Sequence, residues 1–104
     1  MGGAYWVAEL DGAIAASALW TYHQLGPSFQ DREGHVGLVC GVAVHPSARG
    51  NGLARLLLAK LDEEMRAAGL THAFLEVVSS NAAAVGLYQS LGYQGFDLAM
   101  LKPL

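Results

Sequence analysis

Apolar and polar positions change their spacing several times along the chain, and each change predicts an element. Residues 5–10 and 13–22 read as two short strands, and Asp11-Gly12 between them is a strong two-residue hairpin turn. Over residues 23–34 the composition shifts to Gln, Gly, Pro, Ser, Asp, Arg and Glu, as in an exposed connection. Loops of that length are often functional. Residues 35–44 form a Val- and Leu-rich third strand, interrupted by Gly37 and Gly41 where regular strands carry side chains. His45-Pro46-Ser47 ends it.

The period then lengthens to that of a helix over residues 52–68. Leu53, Leu56, Leu57, Leu61 and Met65 fall on one face, with Arg55, Asp62, Glu63 and Arg66 mostly on the other. Gly69 supplies a C-terminal cap, and Leu70 is placed to fold back on the last turn. Residues 72–78 are almost continuously apolar, as in a strand covered on both faces. Ser79, Ser80 and Asn81 are all N-cap candidates for a second helix over residues 82–91, which Gly92 ends. Residues 93–104 alternate loosely and predict a final strand or strand pair.

Hairpin, strand, helix, strand, helix, strand is the order of an α/β (α+β) fold. It predicts a mixed, mostly antiparallel sheet with a central parallel pair, joined by a right-handed crossover and flanked by two helices. The 104 residues make one domain, 1–104, burying roughly two-thirds of the surface its unfolded chain exposes. With 53% of residues apolar and 14% charged, the composition lies far from that of disordered chains. Six Lys and Arg against nine Asp and Glu leave a net charge of -3 without a basic stripe, which argues against nucleic acid as a partner and for small molecules. The longest apolar run is about half of what a membrane-spanning helix needs. Cys40 is the one cysteine, so no internal disulfide forms and a reducing, cytoplasmic location is expected. The four histidines, His23, His35, His45 and His72, form no close pair with metal-ligand spacing, so no metal is expected.

The segment Val42-Ala43-Val44-His45-Pro46-Ser47-Ala48-Arg49-Gly50-Asn51-Gly52-Leu53-Ala54 carries the most chemistry. A glycine-containing turn leads from a strand straight into a helix whose first N–H groups lack intrahelical partners, and such free donors attract anions. Gly50 and Gly52 let backbone approach a diphosphate closely, and Arg49 adds a full positive charge. A lone Gly-x-Gly is more often a tight turn serving backbone geometry. No Gly-Lys-Ser or Gly-Lys-Thr follows, which argues against a nucleoside-triphosphate loop, and the third glycine of a dinucleotide fingerprint is missing.

Arg49-x-x-Gly52-x-Ala54 at a strand-to-helix junction resembles the pyrophosphate-binding motif of the GNAT superfamily of N-acetyltransferases: Gln or Arg, x, x, Gly, x, Gly or Ala. Asn81, Ala84, Tyr88, Gly92 and Tyr93 resemble the later pattern of that family, in order and at its spacing. The resemblance implies acetyl-CoA as co-substrate and a primary amine, on a small molecule or a peptide, as acceptor. It also implies a cofactor site made by Val42, Ala43, Val44, Arg49, Gly50, Asn51, Gly52, Leu53 and Ala54, with Asn81 and Tyr88. Relative to the family the chain looks truncated, without the usual N-terminal strand and helices. A catalytically impaired acyl-CoA-binding module or regulatory subunit is therefore the alternative, and a homodimer covering an open sheet edge or face is expected.

In the family the strands on either side of the first helix splay apart to free backbone groups for the pantetheine arm. Gly41 fits a bulge that would aim the Val42 N–H into that cleft, and it equally fits close packing against a neighbour. Tyr88, by spacing alone a core aromatic, becomes under the resemblance the proton donor to the leaving thiolate. Asn81 either contacts the pantetheine or caps its helix. The acidic residue often found on the strand before the turn is missing, leaving water, His35, Glu33 or Glu76 to take the amine proton. Cys40 reads as a small buried hydrophobe, and Trp6, Trp20 and Tyr22 as core or sheet-face residues, the last two also placed to line an acceptor pocket.

Overall fold

In a computed structural model, which describes residues 3–24, 35–96 and 98–104, β1 (Ala4–Leu10) and β2 (Ala13–Gln24) form the expected antiparallel hairpin. Asp11 (φ 52°) and Gly12 (φ 80°) both take left-handed backbone, which matches the twist of the strands they join. β3 (His35–Val44) pairs antiparallel with β2. The stretch expected to connect these strands is shortened by β2 running on to Gln24, and residues 25–34 lie outside the described residues.

After a single 3-10 turn at Pro46–Ala48 comes α1 (Leu53–Ala67), and β4 (Ala73–Phe74) then pairs parallel with β3. α2 (Ala82–Ser90) follows, and the sheet order is β1-β2-β3-β4. The fold is therefore the mixed sheet with one parallel pair and two helices that the element order predicts. Two expectations are corrected. The strand over residues 72–78 shrinks to Ala73–Phe74, and residues 76–78 are exposed instead of covered. No strand forms among the described residues of 93–104, so the parallel pair ends the strand order instead of sitting at its centre. Loose alternation alone is a weak strand signal, because a strand is completed only by a partner in register. Phe96 instead meets Phe74 edge to face at 6.3 Å, and Phe74 stacks on His23 at 5.9 Å.

The core lies between α1 and one face of the sheet. Ala16, Ala18 and Trp20 of β2 and Val39 of β3 are buried against Leu57, Leu58, Leu61 and Met65. Burying such a Leu or Met contributes about 1.5–3 kcal/mol each. The helix face is turned slightly from the expected one: Leu58 is buried, whereas Leu56 is 64% exposed. The two indoles under this helix share one acceptor, because Trp6 and Trp20 both donate their Nε1–H to Oε1 of Glu64. The Lys60 ammonium lies 5.0 Å over the Trp6 ring. Trp20 is thus buried in the core, and Tyr22 packs edge-on against it at 5.2 Å.

Candidate cofactor site

β3 changes character at Gly41. Leu19 faces Cys40 and Ser17 faces Ala43, so two residues of β3, Gly41 and Val42, oppose one of β2: a bulge. Gly41 takes φ 63°, the left-handed conformation that a side chain resists, and so the bulge reading of this glycine is the observed one.

The bulge redirects the backbone. Before it, Gly37 N–H points away from β2 and bonds His72 O at 3.0 Å. Beyond it, His45 N–H points toward β2 and bonds Ala15 O at 2.7 Å. Because strand amides alternate, the odd residues have switched sides, and the N–H groups of Val42 and Val44 point away from β2. On that side the ladder with β4 has already stopped at Leu38 and Phe74. The two strands part where Val42 and Val44 have donors to offer, while their side chains pack on the core.

The turn that follows is held by its own side chains. His45 Nδ1 accepts from Ser47 N–H at 3.2 Å and lies 2.8 Å from Ser47 Oγ; Asn51 Nδ2 donates to Ala48 O at 2.9 Å; Ala48 is buried as an anchor. Gly50 (φ 85°) and Gly52 (φ 73°) take left-handed backbone, and a Cβ at either would meet nothing within 4 Å. Gly52 is the N-cap of α1 and has no side chain to satisfy the first turn, where the first amide to find a helical partner is that of Leu56, bonded to Gly52 O at 3.1 Å. The N–H groups of Leu53, Ala54 and Arg55 therefore have no partner within the helix, at the positive end of its fifteen residues. Arg49 is exposed beside them.

α2 brings up the remaining residues. Asn81 is its N-cap, with Oδ1 accepting from Ala84 N–H at 3.2 Å, so the capping role is the observed one. Tyr88 is half-buried against the core, and burial pushes its phenol above the ordinary tyrosine value. Its ring meets that of Tyr93 edge to face at 5.8 Å, and its carbonyl accepts from the N–H groups of Leu91 and Tyr93, each at 3.0 Å. The Tyr93 hydroxyl is buried without a partner among the described residues. Burial, then the Asp62 carboxylate and the Tyr88 phenol, push it up to about 12.

A strand that opens at a bulge, a glycine-capped helix start and a tyrosine on the next helix are thus brought together in one fold. The model of the acetyltransferase (GNAT) family matches residues 1–93. The chain belongs to the GNAT acetyltransferase family. An acetyltransferase of Yersinia enterocolitica is 34% identical over 95 residues, which take in 91% of this chain and 60% of that one. Among solved structures, a putative acetyltransferase from Pyrococcus furiosus superposes with a TM-score of 0.86 at 23% identity, over 98% of this chain and 66% of that one. A predicted acetyltransferase from Clostridium acetobutylicum, solved with acetyl-CoA, gives 0.79 at 23% identity, over 97% and 64%. The GNAT chain thus spans about 60% of the length of such a curated relative.

The base candidates are spread out. His35 opens β3, at the end away from the turn, and Glu33 lies outside the described residues. Glu76 is exposed two residues past β4, in the segment that has parted from β3. Cys40 is exposed, not the buried hydrophobe expected, because its position beside the bulge faces away from α1. No helix is long and apolar enough to cross a membrane, and no group of three potential metal ligands occurs, among the described residues.

Three features escaped sequence reasoning: the Glu64 acceptor, the buried Tyr93 hydroxyl, and a hydrogen bond of 2.7 Å from the Arg55 guanidinium to Ser90 Oγ. Arg55 and Ser90 are 35 positions apart, and no local spacing announces such a pair.

Proposed function

We propose that this GNAT chain provides the cofactor-binding part of an N-acetyltransferase that moves the acetyl group of acetyl-CoA to a primary amine. The observation that carries the reading is the run of backbone donors freed on one side of β3 and at the start of α1. The amides of Leu53, Ala54 and Arg55, with Arg49 beside them, suit the diphosphate of the coenzyme. The glycines at 50 and 52 leave its approach open. The amides of Val42 and Val44 suit the pantetheine and the thioester carbonyl, where a donor strengthens its bond as negative charge develops on oxygen.

In this reading the neutral amine nitrogen attacks the thioester carbon. The tetrahedral adduct collapses with cleavage of the C–S bond, and the thiolate leaves with a proton donated by Tyr88, whose burial keeps its phenol protonated at neutral pH. The amine proton passes to water or to Glu76. The Clostridium acetobutylicum structure with acetyl-CoA supports the choice of co-substrate.

A titration with acetyl-CoA followed by thermal unfolding tests the reading. Binding to the folded state stabilises it by about 2.7 kcal/mol at a ligand concentration a hundred times Kd, a rise of roughly 10 °C or more for a chain this size. No rise at millimolar acetyl-CoA overturns the reading. Thiol release across a panel of amines then identifies the acceptor class.

A further inference from the structure

α2 carries Tyr88 yet has weak means of holding its own place. Its nine residues include none that is fully buried, and a helix of that length has little stability alone. Tyr88 and Leu91 reach the core only part-buried. Against that background one directional link stands out. Arg55, in the first turn of α1, donates from Nη2 to Ser90 Oγ at 2.7 Å, and Ser90 Oγ in turn donates to Leu87 O at 2.6 Å. The hydroxyl is used in both directions, so its position is fixed from two sides. Leu87 precedes Tyr88 and Ser90 follows it by two, which places the link on the turn that carries the phenol.

We propose that Arg55 and Ser90 form a positioning clamp that sets the distance between the diphosphate-gripping turn and Tyr88. Resting on the proposed function, the clamp ties the helix whose start holds one end of the coenzyme to the helix that protonates the other. Arg55 suits the task because its planar guanidinium fixes direction, where a lysine ammonium would not. Its side chain is engaged with α2, and its backbone N–H alone faces the coenzyme.

The test compares Arg55→Met, Ser90→Ala, their double variant and Ser90→Thr with the unaltered chain. Acetyl-CoA affinity is measured by calorimetry. Thiol release is measured with the fastest amine of the panel, or with water as acceptor where no amine is faster. The clamp predicts a fall in kcat of fivefold or more for Arg55→Met and Ser90→Ala with Kd changed less than twofold. It also predicts a double variant no slower than the worse single one, and recovery in Ser90→Thr, which keeps the hydroxyl. Unchanged kcat in Ser90→Ala overturns the clamp, as does Kd weakening in step with rate in Arg55→Met, which would make Arg55 a phosphate ligand. If the unaltered chain binds no acetyl-CoA, the functional reading falls and takes the clamp with it; binding with insensitive variants removes the clamp alone.

Discussion

Gly37 of β3 lies directly beneath Met65 of α1: a Cβ at position 37 would stand 2.1 Å from Met65 Sδ and 2.8 Å from its Cγ. The glycine that interrupts an apolar strand is there because the helix rests on its backbone. Its φ is not in the left-handed range, so alanine is free of backbone strain and meets only the crowding. Gly37→Ala should therefore destabilise by about 1–3 kcal/mol, the range for overpacking. In a double-mutant cycle with Met65→Ala, chemical denaturation should show the pair costing clearly less than the sum of the single changes.

Glu64 accepts from both indoles, and these are the chain's two tryptophans. Glu64→Ala leaves two part-buried donors without an acceptor and should cost about 1–3 kcal/mol. Glu64→Gln keeps a carbonyl oxygen and should lose less than half of that. Tryptophan fluorescence reads this site alone, so a shifted emission maximum in Glu64→Ala and a near-native one in Glu64→Gln are expected before any unfolding.

The hairpin, the extent of β3, both helices and the glycine turn that starts α1 were legible because each is written in neighbouring residues. Asp11-Gly12 needs only its own two conformations, and the face of α1 recurs every three or four positions. Gly41 could be read only as two alternatives, since a bulge depends on the partner strand. Partners also decided the errors. Residues 75–78 look like buried strand but part from β3 beyond Leu38, and residues 93–104 alternate loosely yet form no strand among the described ones. Leu56 and Leu58 exchanged places because the seam on the sheet follows Trp20 and Val39, which the helix sequence does not contain.

Gly52 and Gly69 both take left-handed backbone, at φ 73° and 86°, and a Cβ at either meets nothing within 4 Å. Alanine at each position should carry the same conformational cost, about 1–2 kcal/mol. Only Gly52 starts α1 where the free amides face the proposed diphosphate; Gly69 closes its other end. Gly52→Ala should weaken acetyl-CoA binding at least tenfold and Gly69→Ala less than twofold, with matched losses in Tm. Equal effects on affinity would remove the turn from the binding site.

The Tyr93 hydroxyl gains nothing from its burial, so Tyr93→Phe should leave stability at pH 7 unchanged or raise it by up to about 1 kcal/mol. Its folded value near 12 lies above the ordinary value near 10. The unfolded chain therefore releases this proton first, and the stability tied to the protonated phenol is whole below pH 10 and lost as pH climbs toward 12. The limiting slope is about 1.4 kcal/mol per pH unit, and partial exposure reduces it. Denaturation curves of the two proteins should run parallel up to pH 9.5 and separate above it, with the Phe variant the more stable.

Tyr88→Phe isolates one atom. The ring keeps its edge-to-face contact with Tyr93 and its seat on the core, so Tm and acetyl-CoA affinity should stay within experimental scatter of the unaltered chain. If the hydroxyl delivers the proton to the departing thiolate, its loss removes an interaction made as the C–S bond breaks, and kcat should fall at least tenfold and toward a hundredfold. Burial holds the phenol protonated beyond the ordinary tyrosine value, so the rate of the unaltered chain should persist through neutral pH and decline only on the far alkaline side. The Phe variant, having no such proton to lose, should show no matching decline. A variant that turns over at the original rate and keeps the alkaline limb would place the proton donor elsewhere and leave Tyr88 a packing residue, as its helical spacing alone suggests.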